Sequence, residues 1–277
     1  MSNKATIGPG NVNTGSSSFV AGGYNAATSS FASVSGGYEN TASGAWSTVA
    51  GGLLNAATDI GATVGGGESD TATGMWATVP GGGGNKAAGG YSFAAGRLAR
   101  ANDHGTFVWS DGNNAEFPSN GDNTFNARCT GGARFVTGID GSGNPTAGVQ
   151  VTSGGGSWSS ISDRSLKENF EPVDTKKMLK RVAQLPISNW NYKSQDRSIR
   201  HIGPMAQDFY AAFNVGEDNR HITTVDADGV ALAAIKELAK QNQELRERIE
   251  QIEALVKSLL AQQNSSNVPQ DEFGMSN

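Results

Sequence analysis

The 277-residue sequence has one cysteine, three histidines and no apolar run near the roughly 18 residues of a membrane helix. A single thiol, Cys129, excludes an internal disulfide framework and cannot by itself form a multi-cysteine metal site; it is expected as a small buried thiol. Charged residues make up only 17%, with 21 basic against 26 acidic side chains and a net charge of −5. That balance excludes the basic footprint of a nucleic-acid partner or of a protein held to anionic membrane. The opening MSNKATIGPGNVNTG lacks a charged segment followed by an apolar stretch, so synthesis in the cytoplasm without an N-terminal export signal is expected. Before Gly96 only Lys4, Glu39, Asp59, Glu68, Asp70 and Lys86 carry charge. Acids this sparse do not supply the paired carboxylates of glycan hydrolysis, and the region is expected to be structural or adhesive.

What the chain does have is glycine, 38 residues of it, against an apolar fraction of 36%. Such a composition suits either a linker or a repeat, and periodicity decides between them. The pattern A/T-x-V-x-G-G places Val20, Val34, Val49, Val64 and Val79 in register, with Ala94 in the sixth place. A bulky residue precedes each of these: Phe19 and Phe31, then Trp46, Ile60, Trp76 and Tyr91. Asn25, Asn40, Asn55, Asp70 and Asn85 open the intervening segments. A linker has no reason to hold such a register. One unit is therefore predicted as a short strand, a glycine corner, a second short strand and an Asn-led corner, with glycine and asparagine taking left-handed backbone at the corners. No unit buries its apolar face alone, so coils stack into a β-solenoid. With one bulky residue per coil, three solenoids side by side are expected to share a core.

The runs NAATSSFASVSGG and NTASGAWSTVAGG resemble head repeats of trimeric autotransporter adhesins over residues 13–100. The resemblance implies a left-handed parallel β-roll built from three chains. From Arg97 to Ser160 short β-runs alternate with turns at Asp111-Gly112, Gly131-Gly132 and Asp140-Gly141, which predicts a β-rich neck; Asp103 and His104 are expected as a surface pair.

After Gly154-Gly155-Gly156 glycine becomes scarce and charge frequent, which marks a domain boundary near Ser160. Ser162 and Lys167 stand five apart in SDRSLK. A desolvated lysine can act as base for a serine nucleophile, but the same residues also suit a helix N-cap followed by exposed charges. The blocks SDRSLKENFEPVD from Ser162, RHIGPMAQDF from Arg200 and VDADGVALAAI from Val225 resemble the intramolecular chaperone domain of phage endosialidases and tail fibres, the peptidase family S74. The resemblance implies trimerisation followed by cleavage between Ile161 and Ser162, with Ser162 as nucleophile, Lys167 as base and His201 in support. Asp226 to Gly229 only partly fits a calcium loop, since Thr224 and Ile235 would fall at its first and twelfth positions; no metal and no cofactor is expected. His221 is left without a role.

Ile235, Asn242, Ile249 and Val256 alternate at heptad spacing with Leu238, Leu245, Ile252 and Leu259, a coiled-coil core over a helix predicted at 230–263. The expected fold class is mainly β: a trimeric left-handed parallel β-roll or solenoid shaft with a β-rich neck, then a small α+β chaperone domain ending in a trimeric coiled coil. The expected segments are 1–12, 13–100, 101–161, 162–229, 230–263 and a disordered tail at 264–277. Together these features suggest a homotrimeric tail-fibre or adhesin-type protein that meets a host receptor or glycan through its shaft. Its expected place is a phage or phage-like tail, or alternatively a bacterial surface where the module stays attached uncut.

Overall fold

The structure, a computed structural model, describes residues 3–266, the side chains of 264–266 excepted. The chain divides into two compact units, one running to Leu166 and the other starting at Lys167.

The first unit is a parallel β-solenoid. Its first sheet has ten strands and collects the valine segments, among them Phe19–Ala21, Ser33–Val34, Thr48–Val49, Thr63–Val64 and Thr78–Val79. The second has eight strands, including Ala26–Ala27, Thr41–Ala42, Ala56–Ala57 and Thr71–Ala72. Pairing follows the repeat, Val34 opposite Val49 and Ala42 opposite Ala57. Side chains alternate across a strand. Val20, Val34, Val49, Val64, Val79, Ala94 and Val108 therefore point inward from one sheet, and Ala27, Ala42, Ala57, Ala72 and Ala87 from the other, all fully buried. Valine against alanine makes a core one side chain deep, and glycine lets neighbouring coils close up. A Cβ on Gly44 would stand 1.9 Å from the Asp59 carbonyl oxygen.

Three features differ from the sequence-based expectations or add to them. The asparagines do not take the left-handed corners: Asn25, Asn40, Asn55 and Asn85 are buried. Corner glycines such as Gly37 and Gly52 are left-handed as expected, and the other left-handed positions are Phe31, Trp46, Trp76 and Tyr91 at one corner and Tyr24, Glu39, Leu54 and Ser69 at the other. A non-glycine residue there costs roughly 1–2 kcal/mol. Corner hydrogen bonds between coils offset it, as in Trp46 N–H to Ser30 O at 3.0 Å and Trp76 N–H to Ile60 O at 2.8 Å. Second, the bulky residues lie outside the core of the single chain; Trp46 is 55% exposed, and the Phe31 and Trp46 rings stack at 6.1 Å. Third, the parallel ladder does not stop near residue 100. It continues through Phe93–Arg97, Phe107–Ser110 and Phe125–Arg128, where Phe93, Phe107 and Phe125 stack outward with centroids 4.7 and 4.8 Å apart, the spacing of adjacent strands. It also begins before residue 13, with Ala5–Ile7 pairing Phe19–Ala21.

Polar side chains close the last coil. Arg128 Nε lies 2.9 Å from Asp111 Oδ1, and Asp111 also accepts from the Thr130 hydroxyl and N–H. Those Thr130 bonds, with Arg128 and Asn113 behind them, hold the Asp111 carboxyl well below the usual carboxylate range. Asp103 accepts from Ser119 Oγ and Gly121 N–H. His104 meets the Tyr91 ring edge-on at 5.4 Å. Cys129 is half-buried rather than enclosed. An antiparallel pair follows, Gly132–Ile139 with Pro145–Thr152, and the short strand Ser159–Ser160 adds to it.

In the second unit, α1 (Thr175–Gln184) is capped by Asp174, whose carboxylate accepts from Lys177 N–H at 2.9 Å. Next come the antiparallel strands Ser188–Trp190 and His201–Gly203, then α2 (Ala206–Phe213) and the long α3 (Thr224–Ser266). Phe209 and Phe213 form the core with Val230 of α3, packed by Met178, Val182 and Ile222. Helix α3 starts six residues before its predicted onset, so Asp226 lies in its first turn, where Asp226 N–H donates to Thr223 Oγ1 and Thr223 Oγ1–H donates back to the carboxylate. The expected disordered tail from Asn264 overlaps the end of α3; its residues 267–277 lie outside the described residues.

Candidate functional site

The segment carrying Ser162 directly follows the last strand of the shaft unit. Ile161 is still held, its N–H donating to Gly148 O at 3.2 Å. Past that bond residues 162–173 form no regular element except the 3-10 turn Arg164–Leu166, and every side chain there is exposed. The turn follows from Asp163. Its carboxylate accepts from Ser165 Oγ and from Ser165 N–H, each at 2.7 Å, and those two bonds hold it below its ordinary pKa. The Ile161–Ser162 bond thus stands where anchored sheet passes into accessible chain. Ser162 belongs to the shaft unit and Lys167 opens the next. Lys167 is exposed in the single chain.

His201 sits in an aromatic setting that sequence reasoning missed. It pairs with Trp190 across the two short strands, their rings 4.7 Å apart and tilted 30°, while Tyr192 meets the imidazole edge-on at 5.4 Å. Its Nε2 lies 2.9 Å from Gln195 Oε1, a bond that fixes the ring's orientation. Trp190 Nε1 is buried with no hydrogen-bond partner. Trp190, Tyr192, Lys193, Met205, Arg220 and Ile222 line an open cleft here. The only trace in the sequence is WNY, eleven residues before the histidine, and it points nowhere without the strand pairing. His221, which had no assigned role, pairs with Asp218 at 2.9 Å on the surface.

Helix α3 presents two faces. Val230, Ala234 and Glu237 are buried within the unit. Glu237 accepts from Thr175 Oγ1 of α1 at 2.8 Å and from Gln241 Nε2 at 3.0 Å, and these bonds, Gln241's foremost, hold it below the ordinary carboxylate range. The heptad residues Ile235, Leu238, Leu245, Ile249, Ile252, Val256 and Leu259 are all exposed, from 46% to 58%, and Asn242 joins them at the surface. Seven large aliphatic side chains left in water along one helix are unusual for a chain acting alone. Among the described residues no group of three or more His, Cys, Asp or Glu side chains is placed to hold a metal, and no helix is long and apolar enough to cross a membrane.

Residues 162–215 match the family model described as chaperone of endosialidase. The match opens on Ser162 and covers α1, both short strands and α2, while α3 follows it. The C-terminal part of the chain thus carries an intramolecular chaperone domain behind a β-solenoid, an order that fits a fibre- or adhesin-type protein.

Proposed function

We propose, from the chaperone-of-endosialidase domain at residues 162–215, that three copies of this chain associate through α3, align their shafts, and then release the module by cutting between Ile161 and Ser162. Ordering three glycine-rich shafts in one register costs much conformational entropy. A C-terminal trimer lowers that cost by raising the shafts' effective concentration. The exposed heptads of α3 supply the contact surface, and Asn242 sets its register. The exposed bulky corner residues of the shaft give neighbouring chains apolar surface to cover.

In the cleavage step Ser162 Oγ attacks the Ile161 carbonyl carbon while Lys167 Nζ takes the hydroxyl proton. The amide C–N bond breaks, the proton passes to the departing Ser162 nitrogen, and the Ile161 acyl group rests as an ester on Oγ. Water hydrolyses the ester, leaving an Ile161 carboxylate and a new amino terminus at Ser162. Lys167 acts as base only when neutral, and its exposure in the single chain makes burial by neighbouring chains a requirement. That couples cutting to assembly. His201, oriented by Gln195 between two aromatic rings, assists from the module. The finished fibre belongs on a phage or phage-like tail, where its shaft meets a host surface.

The observation that carries this reading is the coincidence of the family match's first residue with the end of the sheet: Ile161 pinned by Gly148, Ser162 accessible. Denaturing gels of freshly purified protein test it. Wild type is expected as two fragments, and Ser162→Ala and Lys167→Ala as one chain. A wild type that stays whole as a trimer favours instead an adhesin whose module remains attached.

A further inference from the structure

A file of asparagine side chains runs inside the shaft, one per coil. Each Oδ1 accepts the backbone N–H of the next rung: Asn40 to Asn25 at 2.8 Å, Asn55 to Asn40 at 2.9 Å, residue 70 to Asn55 at 2.9 Å, Asn85 to residue 70 at 2.7 Å, and Ala99 to Asn85 at 2.9 Å. Each Nδ2 meanwhile donates to two carbonyls, one on its own coil and one on the next. Asn55 reaches Gly51 O at 2.9 Å and Gly67 O at 3.0 Å, and Asn85 reaches Gly81 O at 3.2 Å and Gly96 O at 2.8 Å. The file therefore needs an acceptor and a donor at every rung.

At the fourth of these rungs the residue is Asp70, the only ionisable side chain buried in the shaft among the described residues. Its Oδ1 does what the asparagines do. Its Oδ2 occupies the place of Nδ2 and has no hydrogen-bond partner. A Cβ built on Gly67 would lie 2.5 Å from both Asp70 Oδ2 and Gly82 O; on Gly52 the same construction meets Asn55 Nδ2 at 2.5 Å and Gly67 O at 2.2 Å. The carboxyl oxygen thus faces a carbonyl oxygen where every other rung has an N–H. Two acceptors face each other, and Asp70 Oδ2 is shut off from solvent.

We propose that Asp70 is a neutral carboxylic acid whose Oδ2–H donates to Gly82 O, which makes the shaft a fold that weakens as pH rises. A proton completes the rung without moving an atom. A hard cation does not fit: calcium needs six to eight oxygens at 2.3–2.6 Å, and the coils stack at hydrogen-bond spacing. No charge stands ready to neutralise an ionised Asp70. Asn55 and Asn85 flank it above and below, Val64 and Val79 belong to the facing strands, Gly66, Gly67 and Gly82 form the corners, and Glu68 and Lys86 are exposed on the outside. Burial accordingly pushes the Asp70 carboxyl up, against the opposing N–H bond from Asn85. With the folded-state pKa above the unfolded value near 3.9, the rung's contribution is complete in acid below that value and is lost as pH climbs through the folded-state pKa. This inference concerns the interior of one coil and does not depend on cleavage or on chain association.

The test is thermal unfolding of the full chain from pH 4 to pH 8.5, wild type beside Asp70→Asn. The variant restores the missing donor, so the two should melt together near pH 4 and diverge as pH rises, Asp70→Asn being the more stable by several degrees at pH 8.5. Infrared spectra of the folded wild type near pH 6 should contain a protonated-carboxyl carbonyl band that Asp70→Asn lacks. Equal pH profiles, a less stable Asp70→Asn at pH 8.5, or an absent band would overturn the proposal. So would a wild-type melting temperature that rises with added calcium or sodium while that of Asp70→Asn does not.

Discussion

Replacing Asn40 by alanine removes a rung whose partners are all visible. Asn40 Oδ1 accepts from Asn55 N–H at 2.9 Å, and its Nδ2 donates to Gly52 O at 2.9 Å and to Gly36 O at 3.3 Å. Alanine would leave the Asn55 N–H without its acceptor on a fully buried residue, while Gly52 O would lose one of its two donors and keep the Tyr38 N–H at 3.0 Å. Each buried group left unpaired costs about 1–3 kcal/mol. Lost packing adds to this, and the side-chain entropy regained by alanine offsets a fraction of it. The expected loss is therefore about 2–4 kcal/mol per chain, large against the roughly 5–15 kcal/mol of a typical domain. Guanidinium unfolding followed by far-ultraviolet circular dichroism measures it, provided the slope of the transition is unchanged, so that a shifted midpoint reports stability. A loss below about 1 kcal/mol would refute the reasoning, because it would mean that water or backbone movement satisfies these groups and that the file does not hold the coils in register.

The glycines should divide by what surrounds them. Gly44→Ala puts a Cβ within 2.3 Å of the Asp59 carbonyl carbon and should cost at least the roughly 1–3 kcal/mol of an overpacked core, whereas Gly36→Ala meets nothing within 4 Å and should change the unfolding free energy, measured by denaturant titration, by no more than about 0.5 kcal/mol. On α3, Ile249→Glu should convert the assembly to monomers in light scattering while the Phe209–Phe213–Val230 core stays folded, since Ile249 is 54% exposed in the single chain. Retention of the trimer would remove the heptad stripe from the account.

The repeat was legible because a valine every 14 or 15 residues has no meaning outside stacked coils. Val34, Val49 and Val64 are where that argument puts them. The asparagines were misplaced for a physical reason: an Asn at a fixed period next to glycine suits a left-handed corner as well as an interior file, and only the closed coil shows that Asn40 Oδ1 meets the next rung's N–H. Trp46 and Trp76 lie on the outside of the single chain, because a coil two residues wide on each side has room inside only for small side chains such as valine, alanine and asparagine. The solenoid past residue 100 was hidden because its turns lengthen and phenylalanine replaces threonine on the outer face, Phe93 standing in register with Thr78. Ser162 and Lys167 stood out through their flanking blocks rather than by their own spacing. The Trp190–His201 stack and the Thr175–Glu237 bond were unreadable, since each joins residues that only the tertiary fold brings together.

The central claim, a shaft that sheds the module which assembled it, is tested most directly by intact mass under denaturing conditions, taken on fresh wild type beside Ser162→Ala, with the native mass of each. The account predicts two wild-type species ending at Ile161 and beginning at Ser162, one full-length species for Ser162→Ala, and a trimeric native mass for both. Full-length wild type, or cleavage that persists in Ser162→Ala, would contradict it.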